Sequence, residues 1–115
     1  MIGAGDIGCG WAALCAAAGW PVTLFDASSR GMERAAIDVP RRARALVALG
    51  HATEGMVERG LLELHQGRSL LQTVQDADWV IEAIHEELGA KQKLFHAIEE
   101  VAGNSFCLEI GRAHV

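Results

Sequence analysis

Long apolar runs are missing from this chain. No stretch of about 18 uncharged apolar residues exists, because Asp6 and Asp26 bracket the longest candidate and Gly19 and Pro21 interrupt it. A membrane-crossing helix is therefore not expected. Nothing basic precedes an apolar run at the N-terminus, which argues against a secretory leader. Cysteine is scarce: three residues, an odd number, make no disulfide framework. On the helix expected over Ile7 to Ala18, Cys9 and Cys15 have Cα atoms roughly 9 Å apart, beyond bridging distance. They read as small buried hydrophobes in a reducing compartment, and a cytoplasmic location is expected. Positive charge is also short. A net charge of −5 gives no reason to expect nucleic acid or an anionic membrane as partner, and Arg41, Arg42 and Arg44 are too few to change that.

What remains is ordinary globular material. Half of the 115 residues are hydrophobic and 22% are charged, enough for one domain with a core of normal size. Small residues dominate Ile7 to Ala18, a helix expected to pack close against a sheet and to stop at Gly19. Val22 to Phe25 is a buried strand ending at Asp26. From Ser29 to about Leu49 the apolar Met32, Ala35, Ala36, Val39, Ala43, Leu46 and Val47 recur at helical steps, with Pro40 expected to kink or break that helix. Thr53 is the expected N-cap of a short helix to about Arg59, followed by a brief strand over Leu62 to His65. A short helix over Ser69 to Ala77, a strand over Trp79 to Ala83, a helix over Leu88 to Ala102 and a strand over Ser105 to Leu108 complete the pattern. Strands alternating with helices imply a mostly parallel sheet, here of Rossmann type, doubly wound but incomplete. No repeat or linker divides it.

The informative motif is Gly3-Ala4-Gly5-Asp6-Ile7-Gly8. A bare glycine spacing is weak evidence, and its context supplies the specificity. Gly3 allows the tight turn, Gly5 leaves room for a pyrophosphate, and Gly8 lets the helix approach the sheet. The helix that follows aims free N–H groups, those of Asp6 and Ile7 among them, at the phosphates. Asp26, about 20 residues on, ends the next strand, where a carboxylate accepts both hydroxyls of an adenine ribose and repels a 2′-phosphate. NAD is thus expected over NADP. The bland alternative makes these residues a turn and a strand end, and Arg30 is a weaker candidate for a 2′-phosphate.

With these residues placed, the chain resembles the NAD-binding domain of the L-3-hydroxyacyl-CoA dehydrogenase family, over Met1 to about Leu108. IGAGDIGCGWA is similar to the family's opening loop, and Trp11 to its lambda-crystallin/L-gulonate 3-dehydrogenase branch. ADWVIEAIHEELGAKQKLF, residues 77 to 95, carries the more specific likeness, and the helices between Ser29 and Arg59 stand where the family has a helical pair after its second strand. The resemblance implies that Ala83 lines the nicotinamide side of the cofactor cleft, with Glu86 and Lys91 beside it. The alternative is that Glu86, Glu87 and Lys91 are helix-start charges in solvent. His85 replaces a proline or small residue of many relatives, and His51, His65 and His96 match no family position. HEELG is not HExxH, and no metal-ligand set is expected.

The family's catalytic histidine, its orienting glutamate, and the serine and asparagine that hold the substrate oxygen lie beyond the last strand here. So does the helical domain through which the family forms its homodimer. The resemblance therefore implies an NAD-binding portion of an oxidoreductase that turns a 3-hydroxy group into a 3-keto group on an acyl-CoA or hydroxy acid. No catalytic residue is expected within this chain. The segment EIGRAHV, residues 109 to 115, brings Glu, Arg and His where a central strand stays apolar. It resembles one translated frame of a sequencing adapter, so 1–108 is expected to be the domain and 109–115 a non-native tail. A carnitine or L-gulonate dehydrogenase, or a non-catalytic crystallin-like protein, are the alternatives. A methyltransferase-type loop is remoter, since residues 77 to 95 would have no role there.

Overall fold

The computed structural model describes residues 1–75 and 77–83, together with the backbone of 107–110. The helix expected over Leu88 to Ala102 lies outside the described residues, as do Glu86, Lys91 and the histidines at 85 and 96.

Local chemistry sets most element ends. Helix α1 covers Asp6–Ala17, with Gly5 as its N-cap. At its other end Gly19 takes φ 81°, its N–H donates to the Ala16 carbonyl, and the Trp20 N–H reaches the Cys15 carbonyl at 3.0 Å. This double bond pattern needs a left-handed residue, so glycine ends the helix cleanly. Helix α2, Ser29–Ala48, repeats the device with Gly50 at φ 80° and a His51 N–H to Leu46 carbonyl bond of 2.8 Å. Its start is capped by Ser28, whose hydroxyl accepts from the Gly31 N–H at 3.1 Å. Thr53 caps α3, Glu54–Leu62, in the same manner.

The strands are short and parallel. Strand β1 is Val22–Leu24, β2 is Leu64–Gln66, β3 is Trp79–Glu82 and β4 is Cys107–Ile110, with a short helix α4, Leu70–Gln75, between β2 and β3. β1 pairs with β2, and β3 with β4. Residues 1–3 join the two pairs. The Ile2 N–H donates to the Ile81 carbonyl and the Ala83 N–H to the Ile2 carbonyl, both at 2.8 Å. On the other side Phe25 donates to Met1, and Gly3 donates to Phe25. Three residues thus occupy the central position, with Ile2 only 2% exposed. Counting that segment as strand one gives the spatial order 3-2-1-4-5, which is the doubly wound order of a Rossmann sheet.

Helices α1, α2 and α3 pack on one another, and α1 also contacts β1. The core joins Cys9, Ala12, Ala13 and Ala17 of α1 to Val22 and Leu24 of β1, to Ala35, Val39 and Ala43 of α2, and to Val57 of α3. Each aliphatic side chain of valine size buried there contributes about 1.5–3 kcal/mol. The approach of α3 to α1 is extreme: a Cβ added at Gly60 would lie 1.7 Å from the Ala16 carbonyl oxygen. None of the described helices is long and apolar enough to cross a membrane.

Four expectations need correction. Pro40 does not break α2, because Ala35, Val39 and Ala43 form one buried row on both sides of it and share a core with α1. Packing of that row outweighs the missing hydrogen bond. Ala36 is exposed and does not belong to the buried row. Helix α3 runs on to Leu62, so β2 starts at Leu64, where it pairs with Val22. Finally, β4 continues to Ile110, since Ile81 and Glu82 offer parallel partners to Glu109 and Ile110.

Candidate functional site

The glycine loop leaves the central segment at the point where strand order reverses. Open α/β sheets bind ligands at that point, outside the carboxyl ends of their strands. Gly3 adopts φ 104°, a conformation that favours glycine. Gly8 packs so close that an added Cβ would meet the Gly3 carbonyl oxygen at 1.8 Å, backbone against backbone. At Gly5 an added Cβ would meet nothing within 4 Å, so the space in front of the loop is open. Gly5 brings no side chain to cap α1, and the helix start faces that space with its own N–H groups. Ile7 is half-exposed beside them, at the head of an apolar stripe with Trp11 and Leu14.

Asp26 follows β1 and turns back onto the loop. Its Oδ2 accepts the Ala4 N–H at 2.7 Å, and its Oδ1 accepts the Ser28 N–H at 2.8 Å. One carboxylate therefore pins the glycine loop and the entry to α2 together. Each carboxylate oxygen accepts two hydrogen bonds, so both retain capacity for a ligand hydroxyl. Asp26 is only partly buried, which leaves that capacity accessible.

A second clamp grips the start of α1. Arg42, in the fourth turn of α2, donates through Nη1 to the Asp6 carbonyl oxygen at 3.0 Å, and its Nη2 pairs with Asp6 Oδ1. The Arg42 hydrogen bond, and then its charge, hold the Asp6 carboxyl below the usual carboxylate range. Burial pushes the Cys9 thiol up, and its Sγ donates to the Ala4 carbonyl at 3.4 Å.

The structure brings Gly3, Gly5, Asp6, Ile7, Gly8, Asp26 and Ala83 to one edge of the sheet. Ala83 sits directly past β3, tied to Ile2, and Glu82 before it is fully buried. Glu86 and Lys91 fall outside the described residues. No local signal in the sequence sets Arg42 apart from its neighbours Arg41 and Arg44, because its partner Asp6 lies 36 residues away.

A parallel sheet that reverses its order beside a glycine loop, with a carboxylate closing the next strand, is the architecture of Rossmann-type dinucleotide-binding domains. The sequence places this one further. Residues 1–109 match the family described as 3-hydroxyacyl-CoA dehydrogenase, NAD binding domain, and the chain belongs to that family. It is 32% identical to a lambda-crystallin homolog of Bos taurus over 109 residues, 94% of this chain and 34% of that protein. It is 35% identical to the 3-hydroxyadipyl-CoA dehydrogenase of Escherichia coli over 101 residues, 88% of this chain and 21% of that one. The crystal structure of 3-hydroxybutyryl-CoA dehydrogenase from Escherichia coli superposes with a TM-score of 0.85 at 32% identity, covering 99% of this chain and 24% of that one. The chain spans between a fifth and about a third of the length of the curated relatives it matches.

Proposed function

We propose that this chain is the NAD-holding portion of an NAD-dependent 3-hydroxyacyl-CoA dehydrogenase-like oxidoreductase. Gly3, Gly5 and Gly8 shape the pyrophosphate cradle, the backbone N–H groups of Asp6 and Ile7 face the phosphates, and Asp26 takes the adenine ribose hydroxyls. Ala83, with Glu86 and Lys91, borders the nicotinamide side. NAD supplies the hydride acceptor when a 3-hydroxy group becomes a 3-keto group. The whole enzyme works on an acyl-CoA or hydroxy acid, in a pathway such as fatty acid breakdown in the cytoplasm. It pairs into a homodimer through a further domain and has no nucleic-acid or membrane partner. This chain by itself holds NAD weakly and turns nothing over, and residues 109–115 add nothing to the site.

The observation that carries the reading is the placement of Asp26. Its carboxylate faces the open loop with both oxygens anchored and neither saturated. The likeness to lambda-crystallin homologs supports a second reading, an NAD-binding relative acting on sugar acids or serving a structural role. Titration of NAD and NADP against the chain and against Asp26→Ala tests the first. NAD is expected to bind more tightly than NADP. Asp26→Ala is expected to weaken NAD by roughly tenfold or more, the loss of one or two hydrogen bonds to a charged group at about 1.5–3 kcal/mol each. Unchanged NAD affinity in the variant would remove the proposed role.

A further inference from the structure

We infer that Arg42 is a positioning residue for the dinucleotide, holding the Asp6 carboxylate and the first backbone unit of α1 so that the loop accepts a doubly charged pyrophosphate. The inference rests on the NAD-binding reading above and adds to it a residue from another helix.

Asp6 is the first residue of α1 and its side chain is 89% exposed. An acid there suits a helix N-terminus on its own, since it answers the positive end of the helix dipole. It does not suit a helix N-terminus that must receive phosphates, because two anions then compete for one positive end. Arg42 resolves the conflict by geometry. Its guanidinium engages Asp6 twice, at the carboxylate and at the main-chain carbonyl. The first bond neutralises the acid, and the second fixes the peptide unit that opens the helix. A lysine, a point charge with no planar fork, makes only the first kind of contact well. The Arg42 side chain as a whole is 30% exposed and runs beside Gly10, where an added Cβ would lie 3.6 Å from Nη1. The side chain therefore reaches its partner from a supported position.

At the loop, the pair sums to zero, Arg42→Ala leaves one negative charge, Asp6→Asn leaves one positive charge, and the double variant again sums to zero. NMR-detected titration of the chain at low ionic strength, with NAD and with adenosine as the phosphate-free control, reads the result. Arg42→Ala is expected to weaken NAD on the order of fivefold, and Asp6→Asn to tighten it by a few fold. The double variant is expected to return near the original value, Arg42→Lys to fall between Arg42→Ala and the unaltered chain because it keeps the charge and loses the fork, and added salt should compress all these differences. Adenosine should bind all variants alike. A merely structural Arg42 would weaken adenosine and NAD together and would not be rescued by Asp6→Asn; that pattern overturns the inference. If Arg42→Ala does not fold, Asp6→Asn and Arg42→Lys still decide, since an Asp6→Asn variant that fails to tighten NAD refutes the charge argument. An unaltered chain that binds no NAD would overturn the dinucleotide reading first, and the inference with it.

Discussion

When the chain is prepared as these 115 residues, the α-amino group of Met1 is its most tractable perturbation. It sits within the sheet and donates to the Thr23 carbonyl oxygen at 2.8 Å. Burial there lowers its pKa from an ordinary 8.0 to about 6, with the nearby Cys15 opposing the shift slightly. A base whose pKa falls on folding binds more protons in the unfolded chain, so stability rises with pH across that interval. Two pH units correspond to about 2.7 kcal/mol, a penalty absent above about pH 8 and complete below about pH 6. Urea denaturation at about pH 8.5 and about pH 5.5 is expected to show this loss for the free amine. A chain extended by Gly-Ser ahead of Met1 places an uncharged amide at the same spot and keeps the bond to Thr23. Its stability should change less over the same interval, by that amount, whatever the exposed His51 and His65 contribute to both chains. Parallel pH profiles for the two chains would refute the reasoning.

Other outcomes follow from packing. Gly60→Ala forces a Cβ into the Ala16 backbone and must part α3 from α1, an expected loss of at least about 3 kcal/mol, or roughly 10–15 °C in Tm. Gly55→Ala, on the same helix with nothing within 4 Å of the added carbon, should cost nothing; equal losses at the two sites would contradict the close approach. Pro40→Ala restores a donor inside the continuous α2 and is expected to raise stability by about 1 kcal/mol in the same denaturation assay, after the unfolded chain regains its freedom. A fall in the midpoint would mean that the proline supports the helix.

Much of this molecule is written locally. Gly19 and Gly50 end their helices by an effect confined to a few residues, and Thr53 starts one in the same way. The alanine-rich face of α1, the apolar runs of β1 and β3, and the spacing from Gly3 through Gly8 to Asp26 each lie within a short window. The parallel α/β class, and with it the meeting of the loop, Asp26 and Ala83 at one sheet edge, follows from such windows. Other features depend on partners far along the chain. The uninterrupted course of α2 through Pro40 required the α1 surface against which Val39 and Ala43 are buried. The ends of β2 and β4 were settled by Val22 and by Ile81 with Glu82, not by the residues at those ends. Gly60 looked like any helical glycine until Ala16 stood against it. The grip of Arg42 on Asp6 spans 36 residues. Caps, turns and periodicity act through neighbours in the chain, whereas close approach and charge pairing act through neighbours in space, and only folding makes those.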